Sequence, residues 1–340
     1  MEELISVRKK QISSLLFLDM YTYRGVKSIK IMKNIIDTIS NLKLNPVQKE
    51  TFVNVIKSSN ESFGDIDEIV ILNKGMTNHS FKFRCGDRWY FLRMPGEGTN
   101  KLISRKHEYD VYQVIKDLNI SEEVYYINPD NGYKITAYIE NARVCNANNL
   151  QDVMQCIGLI RDFHNNKLQV KHHFDLFKNL EYYQKLRGNI PSVYKDYEDT
   201  KMKIYELKNY IDNQKREFTL THIDAVSDNF LMLENGDVKL IDWEYAGMQD
   251  PHVDLAMFAI YAFYDRYQID MLIDIYFNGK CSKSTRLKIY CYIAVAGLLW
   301  SNWCEYKKTF KLDFGRYSLM QYRYAREFYD IFKKESEVLI

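Results

Sequence analysis

The residues best suited to chemistry fall in one stretch. It runs Thr221-His222-Ile223-Asp224-Ala225-Val226-Ser227-Asp228-Asn229-Phe230, then through Asn235-Gly236 to Ile241-Asp242-Trp243-Glu244. Asn-Gly between two short apolar runs is the strongest local signal for a β-hairpin. With Asn235 and Gly236 as the two turn residues, the antiparallel register sets Asn229 opposite Asp242. Directly opposed residues project from the same face with Cβ atoms about 5 Å apart, so an amide oxygen and a carboxylate are expected to grip one cation. So few protein oxygens suit Mg²⁺, which keeps water and bridges substrate phosphates. Asp224, on the loop before Asn229, then stands where it can accept a proton from a hydroxyl nucleophile, and base, metal and positioning are what phosphoryl transfer needs. A surface hairpin of turn-forming Asp and Asn explains single positions, but not the joint pattern H-x-D-x-x-x-x-N, hairpin, I-D-W-E.

Positioning these groups requires a framework, and the sequence divides in two. Between Ile66 and Met94 the pattern is strand-like, at Ile69–Leu72, Phe81–Arg84 and Trp89–Arg93, with Cys85-Gly86-Asp87-Arg88 as a turn. A helix is predicted from about Leu102 to Leu118, then strands at Val124–Ile127 and Tyr133–Ile139. Beyond Asn149 helical spacing dominates, over Val153–Phe163, Ile204–Gln214, Val253–Tyr264 and Thr285–Lys307, with the hairpin inserted. The expected fold is α+β, with a small antiparallel sheet in an N-terminal lobe (61–141) and a mainly helical C-terminal lobe (142–340). Residues 1–60 form a helical extension, in which Val26 to Leu44 is an amphipathic helix with a lysine-rich face.

Composition excludes several classes of function. With 47 Lys and Arg against 45 Asp and Glu, the net charge of +2 provides no field that implies a nucleic-acid partner. The longest apolar run near the C-terminus, Ile293 to Trp300, is too short to span a bilayer, and Met1-Glu2-Glu3 is acidic where a secretory signal is basic. A cytoplasmic location without membrane insertion is expected. The six cysteines are scattered without C-x-x-C pairs or a neighbouring His cluster, so neither zinc nor a disulfide framework is suggested.

From about Leu72 to Phe328, and above all from His222 to Phe258, the sequence resembles the choline/ethanolamine kinases of the aminoglycoside-phosphotransferase-like, protein-kinase-like superfamily, especially the bacterial lic-type choline kinases. The resemblance implies that Asp224 is the catalytic base, that His222 orients its loop, that Asn229 and Asp242 bind Mg²⁺, and that Asp254 is a buried structural brace. It implies that Gly75 and Asn78, in Gly75-Met76-Thr77-Asn78-His79-Ser80, cover the phosphates of ATP, that Arg93 holds them and that Glu108 holds Arg93. Arg stands at position 93 where many members carry Lys, and a permanently charged fork serves phosphate equally well. Ala225-Val226-Ser227-Asp228 replaces the commoner Leu-x-Pro-Glu type of loop; the missing proline loosens it, but no chemical residue is lost.

The C-terminal third is unusually aromatic. Trp300 and Trp303 share one helix face, and the segments around them, Asp313–Tyr317 and Gln321–Arg326, are similar to the family's choline-pocket region. Tyr264 and Tyr322 complete the expected substrate set. A quaternary ammonium cannot donate a hydrogen bond, so an aromatic box suits it, and choline is the expected acceptor. Ethanolamine would ask for more acceptors and an aminoglycoside for an acidic open cleft. A catalytically silent nucleotide-binding protein is the alternative from another class. The set Arg93, Glu108, Asp224, Asn229 and Asp242 argues against it.

Overall fold

The computed structural model describes residues 34–35, 38–39, 46–59, 63, 65–72, 78–96 and 99–337. Gly75 and most of the predicted helix from Val26 to Leu44 lie outside these residues. The chain divides into two compact units, one comprising Met1–Thr99 with Val124–Glu140 and the other Asn100–Glu123 with Asn141–Ile340.

The first unit is a five-stranded antiparallel sheet with helix α1 (Pro46–Ser58). Its strands are β1 (Glu68–Leu72), β2 (Asn78–Cys85), β3 (Arg88–Pro95), β4 (Val124–Ile127) and β5 (Lys134–Ala137), in the order β1-β2-β3-β5-β4. The Cys85↔Arg88 pair closes the expected turn, where Gly86 takes the left-handed backbone (φ +59°) that glycine adopts without steric cost. Alternation along β2 sends Phe81 and Phe83 to the core, and Phe52 of α1 meets them edge-on at 5.7 and 5.8 Å. Ile35 and Ile39 join the same core, so described residues before position 60 help to bury the sheet.

The second unit holds helices α2 (Arg105–Ile115), α3 (Leu150–Asn165), α4 (Leu176–Arg187), α5 (Tyr197–Asp212), α6 (His252–Tyr261), α7 (Arg266–Phe277), α8 (Lys283–Lys308) and α9 (Arg316–Ser336). Short strands β6 (Arg143–Val144), β8 (Phe230–Met232) and β9 (Val238–Leu240) make one sheet, and β7 (Thr219–Thr221) pairs with β10 (Gly247–Gln249) in another. Ser104 caps α2 by accepting from the His107 N–H. Further along that helix, His107 stacks on His172 with centroids 3.9 Å apart, and the His172 Nε2–H donates to the Ala246 carbonyl at 2.9 Å. These contacts dock α2 on the segment that follows Asp242. Helix α8 is the unit's axis, buried from Leu287 to Lys307. At Gly297 a Cβ would lie 2.6 Å from the Gln321 carbonyl oxygen of α9, so only glycine permits this approach of the two helices. Among the described residues no helix is long and apolar enough to cross a membrane.

Candidate active site

The predicted hairpin forms, but its register differs by one residue. Phe230 pairs with Leu240 and Met232 with Val238, while the Ile241 N–H donates to the Asn229 carbonyl at 2.9 Å. Asn229 therefore faces Ile241, not Asp242. The cause is the loop, which has three residues where two were expected. Glu234-Asn235-Gly236 makes a turn closed by the Gly236 N–H to the Leu233 carbonyl, and Gly236 takes φ +87°. A one-residue slip turns side chains to the opposite face. Asp242 lies just beyond the strand in a left-handed conformation (φ +65°), which frees its direction from the strand's alternation.

The loop that carries Asp224 is held from beneath. Ile223, a β-branched residue, has φ +70°, a strained conformation for its type. Fully buried Asp254 of α6 accepts the N–H groups of Ile223 at 2.7 Å and His222 at 3.0 Å, and the His164 Nε2–H at 2.9 Å. The His222 ring is buried and donates from Nε2 to the Ile241 carbonyl at 3.0 Å, so it ties the loop to the end of the hairpin. Burial lowers its pKa and keeps the imidazole neutral. Residues 224–229 close on themselves. The Val226 N–H donates to the Asp224 carbonyl at 2.7 Å and the Asn229 N–H to the Val226 carbonyl at 2.9 Å.

The Asn229 side-chain nitrogen donates to both the backbone carbonyl (2.9 Å) and the carboxylate (3.1 Å) of Asp224. That bond turns the amide oxygen away from Asp224. Burial first, then the Asp242 and Glu244 carboxylates, pushes the Asp224 carboxyl up to about 8, against the pull of the Asn229 hydrogen bond. Three carboxylates thus share one field, and a cation is the chemistry that fits among them. Among the described residues no group of three or more His, Cys, Asp or Glu could hold a metal ion by itself. A divalent ion here relies on few protein oxygens plus water or substrate.

Arg105 is a partner that sequence reasoning missed. Its buried guanidinium donates to the Glu244 carboxylate at 3.3 Å and lies 3.8 Å from Glu108, so it joins α2 to the segment after Asp242. Arg93 belongs to the first unit and Glu108 to the second. Arg93 is buried on β3, donates to the Gly132 carbonyl at 3.3 Å and sits opposite Lys134 across the β3–β5 ladder. Asn78 opens β2 opposite Pro95.

A wall of packed aromatic rings comes within electrostatic reach of Asp224 through Tyr245. Tyr245 meets Trp300 edge-on at 5.4 Å, Trp300 meets Trp303 at 5.9 Å, and Trp303 leans on Phe314 at 4.9 Å. Burial raises the phenol pKa values of Tyr183, Tyr245, Tyr261 and Tyr317, and the Asp224 charge raises all four further. Trp300 and Trp303, named from the sequence, belong to this cluster, as do Tyr183 and Tyr245, which the sequence reading did not name. Tyr245 directly follows I-D-W-E, which was the available signal. Tyr264 and Tyr322 do not join the wall. The Tyr264 hydroxyl donates to the Ala147 carbonyl. Tyr322 stacks on Tyr194 at 3.8 Å and donates to Asp196 at 2.9 Å, on the α5 side of α9.

A family model described as choline/ethanolamine kinase matches residues 69–293. The chain belongs to this family. It is an ATP-dependent phosphotransferase with the kinase-like α+β fold expected from its sequence. LicA of Haemophilus influenzae is 27% identical over 261 residues, covering 72% of this chain and 75% of that protein. The crystal structure of choline kinase LicA from Streptococcus pneumoniae is 25% identical with a TM-score of 0.73, over 84% of this chain and 99% of that one. An ethanolamine kinase of Plasmodium vivax shares the fold, at 16% identity and a TM-score of 0.67, over 91% of this chain and 96% of that one.

Proposed function

We propose that this kinase transfers the γ-phosphoryl group of ATP to the hydroxyl of choline, with Asp224 as the base and the wall of Tyr183, Tyr245, Trp300 and Trp303 as the seat of the quaternary ammonium. One observation carries the reading. The Asp224 carboxyl, whose pKa burial raises, lies in the field of the Asp242 and Glu244 carboxylates and within electrostatic reach of the Tyr183 and Tyr245 phenols. An acceptor that is a cation at one end and an alcohol at the other fits this division, with the ammonium over the rings and the hydroxyl toward Asp224.

Asp224 accepts the hydroxyl proton as the oxygen attacks phosphorus, and the bond from Asn229 fixes the carboxylate's orientation. Asn229, through its amide oxygen, and Asp242 would hold Mg²⁺, which supplies charge neutralisation for the phosphates of ATP when bound. Arg93 and Asn78 are the residues of the first unit assigned to those phosphates. Arg105, with Glu108 beside it, holds Glu244, and Asp254 and His222 keep the strained loop in place. The use of ATP and six free cysteines support a cytoplasmic location. The test is ATP-dependent phosphorylation of choline, ethanolamine, aminoglycosides and methylthioribose by the purified protein. Choline is expected to give the highest kcat/KM. A higher value for ethanolamine or for a sugar acceptor overturns the assignment.

A further inference from the structure

Lys307 lies one helical turn beyond Trp303 on α8 and is 1% exposed. Lysines in the last turn of a helix ordinarily reach outward to water or a surface carboxylate. The next residue does so, since Lys308 is half exposed and pairs with Asp313 at 3.3 Å. Lys307 turns inward instead, and its Nζ stands 5.6 Å from the centroid of the Trp303 ring. Among the described residues its ammonium makes no side-chain hydrogen bond or ion pair, and the Trp303 ring and the more distant Glu244 carboxylate are what offset its charge. Burial lowers its pKa, and the Glu244 carboxylate opposes that shift.

We propose that Lys307 is a specificity-determining residue whose ammonium is a resident cation of the aromatic wall, so that choline binds by exchanging one cation for another over Trp303. The proposal rests on the reading that this wall receives the acceptor's ammonium. Two positive charges cannot share one ring in so dry a place without strong repulsion. The side chain must therefore withdraw when a cationic acceptor arrives, and the cation–π attraction that it gives up is subtracted from the affinity for choline. A neutral acceptor of the same shape meets no such repulsion. Lys307 thus narrows the advantage of a charged acceptor over an uncharged one.

Lys307→Met, of similar length and apolar, tests this directly. Binding of choline and of 3,3-dimethylbutanol, its neutral carbon isostere, would be measured by calorimetry on the full chain, with melting temperatures recorded alongside. One desolvated cation–π contact corresponds to roughly 30-fold in affinity. Lys307→Met is expected to bind choline about 10- to 30-fold more tightly while changing the isostere by less than about threefold. Lys307→Arg, which keeps the charge, is expected to bind choline no more tightly than the parent. Lys307→Gln supplies a second neutral side chain should the Met variant not fold. Unchanged or weaker choline binding in the neutral variants, or an equal gain for both ligands, overturns the proposal. Trp303→Leu separates this from the underlying reading. If it leaves choline binding intact, the aromatic seat is wrong and the exchange falls with it. If it weakens choline while the neutral Lys307 variants show no gain, only the exchange is wrong.

Discussion

The loop that carries Asp224 and the aromatic wall are built on opposite principles. The loop is fixed by directed bonds: Asp254 holds two backbone N–H groups across the strained Ile223, His222 reaches Ile241, and Asn229 grips Asp224. The wall is fixed mainly by packing: its rings meet edge to face, the buried Tyr183 hydroxyl has no hydrogen-bond partner among the described residues, and the Trp300 Nε1–H donates outward to the soft Met257 sulfur at 3.0 Å. Directed bonds set an atom's position and charge, whereas packed rings set a shape and an electron-rich surface. Damage to the loop should therefore appear in kcat, and damage to the wall in the acceptor's KM.

The sharpest test of that division is Asp224→Asn, expected to lower kcat by about 10²- to 10⁴-fold with both KM values little changed. A large change in choline KM instead would erase the distinction. Asp254→Ala should come next, because it leaves a strained turn and two buried N–H groups without their acceptor. A loss of about 3 kcal/mol in unfolding free energy is expected, together with a lower kcat. Stability and kcat equal to the parent's would show that the loop needs no brace. On the other side, Trp300→Ala and Trp303→Ala should each weaken choline by about 30-fold and leave the KM for ATP nearly unchanged. Parallel losses for both substrates, with a fall in melting temperature, would make the tryptophans core residues only.

The Asp224 carboxyl gives a pH test of the loop. Its folded pKa, about 8, exceeds the ordinary carboxylate value, so the neutral form is preferred in the fold. Its contribution to stability is complete below the unfolded value near 4 and is lost as pH rises through about 8. Asp224→Asn, uncharged throughout, should therefore raise the melting temperature relative to the parent, least near pH 5 and most above pH 8, when both are measured in chelator. A difference that does not grow with pH would mean that the carboxylates are not crowded. The smallest effect is expected at Tyr322→Phe, which breaks a bond to Asp196 away from the wall. About 1 kcal/mol of stability and no change in choline KM should follow. A selective rise in choline KM would return Tyr322 to the acceptor site.

Most of the framework was legible in the sequence because its signals are local. Alternation marked β1 to β3, the 3.6-residue spacing marked α8, and Asn-Gly marked the hairpin. The register was not legible, since Asn-Gly fits a two-residue turn as well as the last two positions of a three-residue loop. Only the cross-strand bonds distinguish the two. Tyr264 and Tyr322 were assigned to the acceptor side for their residue type, and the direction of their hydroxyls is set by the loop at Ala147 and by Asp196 and Thr200 at the start of α5, distant in sequence. Arg105 and Lys307 left no signal at all. A cation in a helix reads as a surface residue until its neighbours from other elements are known.

Gly297 lies one turn before Trp300, at the point where α8 rests on the backbone of α9. The spacing of these two helices is gauged by a single absent carbon. The position of Trp300 and Trp303, one and two turns further along α8, is thus adjusted from behind, by a buried residue without a side chain. A methyl group added at position 297 would act on the reaction as a shim acts on a lens mount, moving the optics without touching the glass.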